Sequence, residues 1–252
     1  MKAKISEIFS SIQGEGLYLG KRHIFVRFYW CNMRCAYCDT MPSIYEELSV
    51  GEVINEIASL SLAMTTRGIA RSDKYIRSLR GAKRRGNLIH KSTISLTGGE
   101  PLIHVEYIKL LLTELKALKL KTYLETNGTL PGALNKVIGM VDIIAMDIKL
   151  PSSTKDRPFW DEHEKFLKIA NRREVFIKIV VTGDTKKDEF EQAVRIIQGV
   201  APTIPLVIQP VTPCGSVKKA SHTKLNNFYN YASSVLKDVR IIPQVHKIMG
   251  WL

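Results

Sequence analysis

The sequence of 252 residues predicts an α/β domain built around a parallel sheet. From residue 93 onward, short apolar runs typical of strands alternate with amphipathic patterns typical of helices, which is the signature of βαβ units. No Pro- or Ser-rich linker and no internal repeat interrupts this alternation. We therefore predict a single domain over residues 1–252, with residues 64–91 as a basic insertion within it.

The predicted elements follow in chain order. Alternating and amphipathic patterns indicate strands over residues 4–10 and 23–29, then a helix over residues 49–62. The later strands share apolar and β-branched composition and are predicted over residues 93–96, 121–124, 141–146, 174–181, 204–208 and 239–245. The helices between them are predicted over residues 105–118, 134–138, 162–170, 188–197 and 223–236.

Composition indicates a protein of the cytoplasm. Hydrophobic residues make up 45% and charged residues 24% of the chain, which is ordinary for a globular protein. The first seven residues lack the apolar core of a signal peptide, and no apolar run is long enough for a membrane span. In the cytoplasm thiols stay reduced, so clustered cysteines there bind metals more often than they form disulfides.

The net charge of +13 is concentrated in one segment. Residues 64–91 hold nine Lys or Arg against the single acid Asp73, which leaves a net charge of +5 for the rest of the chain. A run of charge is usually a solvated surface, so we expect no nucleic-acid partner. The competing interpretation is an RNA-binding segment, whose affinity would depend steeply on salt.

Polar residues follow the predicted strands at their carboxyl ends. In parallel sheets these ends meet at one edge, which is where ligands bind. The sequence therefore predicts a shared site at that edge. The motifs concerned are Thr97-Gly98-Gly99-Glu100, Glu125-Thr126-Asn127, Asp147-Ile148-Lys149, Gln209-Pro210 and His246-Lys247.

Three of the four cysteines lie within one short loop, with the spacing C-x3-C-x2-C at Cys31, Cys35 and Cys38. A tetrahedral zinc site needs a fourth ligand, and no second Cys or His pair follows at the usual distance. A cubane iron–sulfur cluster needs one thiolate per iron, so three cysteines leave one iron open to a cofactor or substrate. Cys214 follows the Gln209 segment as either a fourth ligand or an ordinary small residue.

These motifs resemble those of the radical S-adenosylmethionine (SAM) enzymes, in which a three-cysteine loop is followed by an element such as Thr97-Gly98-Gly99-Glu100-Pro101. Within that group, Ile12-Gln13-Gly14-Glu15-Gly16 and Arg27 resemble the 7-carboxy-7-deazaguanine synthase (QueE) family, and the resemblance covers nearly all of the chain except residues 64–91. It extends to Cys38-Asp39-Thr40, Gln209-Pro210 and Gln244-Val245-His246-Lys247. The resemblance implies a radical SAM core, a partial (βα)6 TIM-like barrel.

The resemblance also implies an activity and its cofactors. Such enzymes are lyases that convert 6-carboxy-5,6,7,8-tetrahydropterin to 7-carboxy-7-deazaguanine plus ammonia, on the route to queuosine and other 7-deazapurines. They use a [4Fe–4S] cluster, SAM and Mg²⁺, and a 5′-deoxyadenosyl radical starts the ring contraction. The implied partners are an electron donor such as flavodoxin or ferredoxin and a second copy of the chain in a homodimer.

Carried over residue by residue, the resemblance assigns binding residues but no certain catalytic residue. The cluster ligands would be Cys31, Cys35 and Cys38, and the Mg²⁺ ligand would be Thr40. The pterin would contact Ile12, Gln13, Gly14, Glu15, Arg27, Thr97, His246 and the carboxylate of Leu252. SAM would contact Tyr37, Cys38, Asp39, Gly99, Asp147, Ile148, Lys149, Gln209, Pro210, Val211 and Thr212. From their position at a strand end, Glu125 and Asn127 are also expected to contact SAM.

Some of these assignments have alternatives in the sequence. Asp147-Ile148-Lys149 stands where Ser-Pro-Lys is expected, and it would also suit a purely structural ion pair. Asn127-Gly128 is equally typical of a simple turn. For the whole chain, the alternatives are a glycyl-radical-enzyme activase, which has no use for Gln13-Gly14-Glu15 with Arg27, and a nucleic-acid-binding protein with a structural cluster.

Overall fold

A computed structural model describes residues 1–39, 43–65 and 92–250. Its strands are β1 (Lys2–Ile12), β2 (Arg22–Phe28), β3 (Glu46–Ser49), β4 (Thr93–Gly98), β5 (Lys121–Thr126), β6 (Ile143–Asp147), β7 (Glu174–Val181), β8 (Leu206–Pro210) and β9 (Val239–Ile241). Its helices are α1 (Val50–Thr65), α2 (Val105–Ala117), α3 (Pro131–Val137), α4 (Pro151–Thr154), α5 (Trp160–Ala170), α6 (Lys187–Val200), α7 (His222–Ser233) and α8 (Val245–Met249). None of the described helices is long and apolar enough to cross a membrane.

The described strands form one mostly parallel sheet in the order β3-β1-β2-β4-β5-β6-β7-β8-β9. All pairs from β2 to β9 are parallel, and the chain passes through at least one helix between each of these strands and the next. Six such crossovers confirm the predicted (βα)6 succession. At one edge, β1 pairs with β2 and with β3 in the antiparallel direction.

Alternation along the strands separates two apolar clusters on the two faces of the sheet. On β2, Ile24, Val26 and Phe28 point to the large cluster that the helices cover. The helices contribute buried stripes to this cluster at helical spacing, such as Phe190, Ala193, Val194 and Ile197 on α6. The opposite face carries a smaller cluster around Tyr123 and Phe176, which the loop after β1 covers with Leu17 and Tyr18.

The sheet curves so that its two edges approach each other on the face without helices. β1 and β9 are seven strand spacings apart, which is about 33 Å in a flat sheet. Yet the Val245 amide, just after β9, donates to the Gly14 carbonyl, just after β1, at 2.9 Å. The few residues between these atoms and their strands cannot span that gap, so the sheet is rolled into a partial barrel.

Most predicted elements are confirmed, with boundary shifts of a few residues. The strand predicted over residues 239–245 is wrong beyond Ile241, because Pro243 cannot donate to a strand neighbour and α8 begins at Val245. The sequence reasoning missed β3, a four-residue edge strand, and α4, a single turn that begins at Pro151. The basic insertion lies almost wholly outside the described residues, and the single domain stays a prediction.

Candidate active site

A cavity of about 630 Å³ opens at the carboxyl edge of the parallel strands. It brings together most of the residues that the sequence predicts for the site. Those on its wall are Ile12, Gln13, Gly14, Glu15, Arg27, Cys31, Cys35, Tyr37, Cys38, Asp39, Thr97, Gly99, Glu125, Asn127, Asp147, Lys149, Gln209, Val211 and His246.

Three of the predicted residues that the structure describes, Ile148, Pro210 and Thr212, are not on this wall. The Ile148 side chain is fully buried in the large apolar cluster, and its backbone amide donates to the Lys178 carbonyl of the neighbouring strand at 3.0 Å. Pro210 and Thr212 are outside the lining as well. Thr40 and Leu252 lie outside the described residues, so their predicted contacts with Mg²⁺ and substrate stay predictions.

Backbone contacts on two sides help to hold the cysteine loop in place. Trp30 adopts the left-handed region (φ 76°) and turns the chain from β2 into the loop. Gly99 packs so closely on this turn that a β-carbon would lie 1.6 Å from the Trp30 carbonyl oxygen. Only glycine fits there, so Gly99 fixes the position of the loop relative to β4. From the other side, the Ala36 amide donates to the Thr154 carbonyl of α4 at 3.1 Å.

The three thiols of the loop line the cavity, and burial disfavours the free thiolates of two of them, Cys31 and Cys35. Burial raises the pKa of Cys31, and it raises the pKa of Cys35 to about 11. A metal must therefore displace protons from these thiols when it binds. Among the described residues, no three His, Cys, Asp or Glu side chains are close enough to share one metal ion. Cluster ligands bind separate irons at separate corners, so they need not converge on a single point.

A polar network supports the loop behind Cys31. Asn127 Nδ2 donates to Asn32 Oδ1 at 2.9 Å and lies 3.8 Å from Cys31 Sγ, while the Asn127 carbonyl oxygen is 3.1 Å from His163 Nε2. Glu100 is fully buried and accepts from the Asn127 amide at 2.7 Å, and burial raises its pKa to about 7. The glutamate that follows the two glycines thus joins β4 to β5 instead of facing the cavity.

Gln13, Thr97 and Glu125 form a second group on the wall. Gln13 Nε2 donates to Glu125 Oε1 at 2.8 Å, and Thr97 Oγ1 donates to Glu125 Oε2 at 2.6 Å. Glu125, predicted from sequence to contact SAM, is therefore bonded to two residues predicted to contact the pterin.

Glu15 is bound by a side chain of β7 and by the residue that precedes α8. Lys178 Nζ of β7 lies 2.5 Å from Glu15 Oε2, and Gln244 Nε2 donates to Glu15 Oε1 at 2.8 Å. Burial opposes ionisation of Glu15, but the charge of Lys178 and these two hydrogen bonds hold its pKa below the ordinary value. At neutral pH, Glu15 is a carboxylate that only accepts hydrogen bonds.

The end of β6 carries a buried ion pair. Lys149 Nζ lies 2.8 Å from Asp147 Oδ2 and 3.3 Å from the Tyr37 hydroxyl. Asp147 Oδ1 and Gln209 Oε1 are both buried, and neither has a hydrogen-bond partner within the described part of the chain. A buried acceptor without a partner is costly, so these two oxygens are suited to a ligand that brings donors.

Arg27 lies on the inner face of β2, as predicted. Its guanidinium is 5.3 Å from the centre of the Phe9 ring, and its Nε lies 3.4 Å from Glu7 Oε2 without a hydrogen bond. Arg27 is thus on the cavity wall, and within the described part of the chain its contacts are the Phe9 ring and a long ion pair with Glu7.

The sequence of the chain is similar to those of known proteins. The profile of the Radical SAM superfamily matches residues 25–197. A 7-carboxy-7-deazaguanine synthase from Geobacter sulfurreducens is 41% identical over 99% of this chain and 98% of its own length. The chain belongs to this synthase family. A second member, from Methanocaldococcus jannaschii, is 31% identical over 98% of this chain and all of its own length.

A solved structure agrees on the fold. The crystal structure of QueE from Escherichia coli aligns with a TM-score of 0.60 over 98% of this chain and 95% of its own, at 18% sequence identity. The protein is a radical SAM enzyme with a mostly parallel α/β core, as the sequence predicts.

The 7-carboxy-7-deazaguanine synthase family uses a [4Fe–4S] cluster, SAM and Mg²⁺. The described residues fit the first two. Three thiols of one loop line the cavity and can hold a cluster. Among the described residues, Asp147 Oδ1 and Gln209 Oε1 are buried acceptors without a hydrogen-bond partner, and SAM carries donors that can bind them. Cys214 lies outside the lining of the cavity, which agrees with its interpretation as an ordinary small residue.

The sequence reasoning missed three residues of this family member's site: Lys178, Gln244 and Lys247. All three line the cavity, and Lys247 Nζ lies 3.0 Å from Asp39 Oδ2. Gln244 and Lys247 belong to the motif Gln244-Val245-His246-Lys247, in which the resemblance assigns a role to His246 alone. Lys178 had a detectable signal, since it is a charged residue at an inward position of an otherwise apolar strand.

Proposed function

We infer that the protein converts 6-carboxy-5,6,7,8-tetrahydropterin to 7-carboxy-7-deazaguanine and ammonia by a radical ring contraction. The observation that carries this inference is the meeting, in one cavity, of the cysteine loop with Gln13, Glu15 and Arg27. A radical SAM enzyme of another kind needs the loop but has no need of these three. The full-length relatives named for this synthase support the same inference.

The cofactor half of the cavity is proposed to lie between the cysteine loop and β6. Cys31, Cys35 and Cys38 would hold the cluster and leave one iron open to SAM. When bound, the cluster and SAM supply the radical that starts the reaction. Asp147 Oδ1 and Gln209 Oε1 would accept hydrogen bonds from SAM. The described residues around them exclude bulk water, because Asp147 and Gln209 are 7% and 2% exposed.

The pterin half is proposed to lie between the loop after β1 and α8. The ionised Glu15 would accept hydrogen bonds from the amino–pyrimidine edge of the pterin, whose groups there are donors. Gln13 and Thr97, which are both hydrogen-bonded to Glu125, would position the pterin ring within the cavity. Arg27 would form a two-pronged bond with the pterin carboxylate, a stronger partner than Glu7 at 3.4 Å.

The remaining assignments are also proposals. Thr40 would be one Mg²⁺ ligand, with substrate oxygens and waters completing the octahedron, and the carboxylate of Leu252 would reach the substrate. We propose one domain, a homodimer, and a flavodoxin or ferredoxin as the electron donor. A cytoplasmic location suits thiols that must stay reduced to bind iron.

Anaerobic turnover tests the inferred function. The cluster-loaded, reduced protein is given SAM and the tetrahydropterin, with and without Mg²⁺, and 7-carboxy-7-deazaguanine is measured by mass spectrometry. Product formation that Mg²⁺ increases is the expected result. Cleavage of SAM to 5′-deoxyadenosine with no conversion of the pterin would overturn the inference.

A further inference from the structure

Lys178 has no role in the site assignments above, although it lies on the cavity wall. It lies on β7 between the pterin half and the cofactor half, and its side chain is 17% exposed. A lysine this buried is rare unless it is paired with acids.

Lys178 is shared by two carboxylates that belong to different halves of the cavity. Its Nζ lies 2.5 Å from Glu15 Oε2 and 3.7 Å from Asp147 Oδ2. Asp147 Oδ2 is in turn 2.8 Å from Lys149 Nζ. The four groups form a row of alternating charge from Glu15 to Lys149, which we call the charge row.

The row is buried, so its members influence one another more strongly than exposed ions do. Burial opposes the charge of Lys178, but Glu15, Asp147 and Glu125 raise its pKa above the ordinary value. Lys178 therefore remains a cation throughout the neutral range, and its attraction is divided between Glu15 and Asp147.

We propose that Lys178 is a positioning residue that couples pterin binding to SAM binding. The proposal rests on the proposed function, which assigns Glu15 to the pterin and Asp147 to SAM. A ligand that donates hydrogen bonds to Glu15 competes with Lys178 for that carboxylate. Lys178 then interacts more with Asp147, which changes how Asp147 meets the cofactor. By linkage, SAM must change the affinity for the pterin by the same factor.

The experiment measures this factor without turnover. Anaerobic, cluster-loaded protein is left unreduced so that SAM is not cleaved, and the Kd for SAM is measured by equilibrium dialysis with and without saturating tetrahydropterin. The Kd for the pterin is measured with and without SAM as the reciprocal test. The ratio of interest compares the Kd for one ligand with and without the other ligand. For the unaltered protein, we expect this ratio to be the same for SAM and for the pterin, at about fivefold or more.

Two variants interrupt the charge row at different points. Lys178→Met keeps the length of the side chain without its charge, and Asp147→Ser leaves the Lys178–Glu15 pair intact. In each variant the ratio should fall to about one. The control is Lys168→Met, which removes an exposed lysine–glutamate pair on α5 (Lys168 Nζ to Glu164 Oε1, 2.5 Å) and should keep the full ratio. If Lys178→Met does not fold, Asp147→Ser gives the answer alone.

The outcomes separate this proposal from the proposed function. A ratio near one in the unaltered protein, or a ratio retained in either row variant, overturns the role of Lys178. Product formation by the unaltered protein is scored in a separate assay. A protein that makes product without coupling thus rejects the charge row while the proposed function stands.

Discussion

Replacing Gly14 with alanine tests whether α8 sets the geometry of the pterin half of the cavity. A β-carbon on Gly14 would lie 2.4 Å from His246 Nδ1 and 2.5 Å from His246 Cβ. Non-bonded carbon atoms rest at about 3.5–4.0 Å, so His246 must move by about 1 Å. Because its Cβ is part of the clash, rotation of the ring cannot relieve it, and α8 must move as well. Gly14 is not among the glycines with positive φ, so its backbone suits alanine and the effect is purely steric.

The expected loss follows from this displacement. Misplacing a positioning group by about 1 Å costs roughly 10²-fold in rate, so kcat/KM for the pterin should fall by about that factor. The free energy of unfolding should fall by about 1–3 kcal/mol, as for other overpacked sites. The assay is anaerobic steady-state turnover with varied pterin at saturating SAM, followed by urea unfolding of the same preparation.

Gly132→Ala is the matched control. A β-carbon on Gly132, in the first turn of α3, meets nothing within 4 Å. Alanine there should leave kcat/KM unchanged and add about 0.5–1 kcal/mol to stability. If Gly14→Ala turns over the pterin as well as Gly132→Ala does, the reasoning about α8 is refuted.

Three further predictions concern the cluster and pH. Gly99→Ala should abolish cluster binding, measured as iron per chain, because its β-carbon would overlap the Trp30 carbonyl at 1.6 Å. Cys214→Ser should keep the iron content and the cleavage of SAM. Replacing Cys31, Cys35 or Cys38 with serine should remove both. Burial lowers the pKa of His23 and of His163 from 6.5 to about 4, so the unfolded chain binds more protons as pH falls below 6.5. Each histidine should therefore contribute a loss of about 2 kcal/mol of stability between pH 8 and pH 5, while Glu100, whose pKa burial raises to about 7, opposes that loss in the same window. On this acidification the stability of His23→Gln should fall less than that of the unaltered protein, by about the contribution of one histidine, and an identical pH slope in that variant contradicts this prediction.

The succession of strands and helices could be predicted from sequence because each apolar face has a period that the sequence displays. β7 is predicted to the residue, since every alternate position from Val175 to Val181 is apolar and its inner face is apolar too, apart from Lys178. The strand predicted over 239–245 is confirmed as far as Ile241 and wrong beyond it, because an apolar run interrupted by Pro243 has the composition of a strand without its hydrogen bonds.

The members of the site could be predicted from motifs, but their pairings could not. Thr97 and Glu125 come from the neighbouring strands β4 and β5. Only the register of these strands places the Thr97 hydroxyl 2.6 Å from the Glu125 carboxylate. Lys178 and Glu15 are 163 residues apart, and no local pattern indicates their contact. Such pairings depend on how far the sheet curves, which is a property of the whole barrel.

The contact between Val245 and Gly14 has a consequence for the order in which the protein becomes functional. A ribosome releases the chain from its amino end, so β1 and the cysteine loop emerge long before α8. The backbone contacts that hold the cysteine loop involve residues up to Thr154, whereas Glu15 lacks its Gln244 partner until the final stretch has been translated. A nascent chain can thus organise its iron-binding region early, while the substrate chamber is finished last.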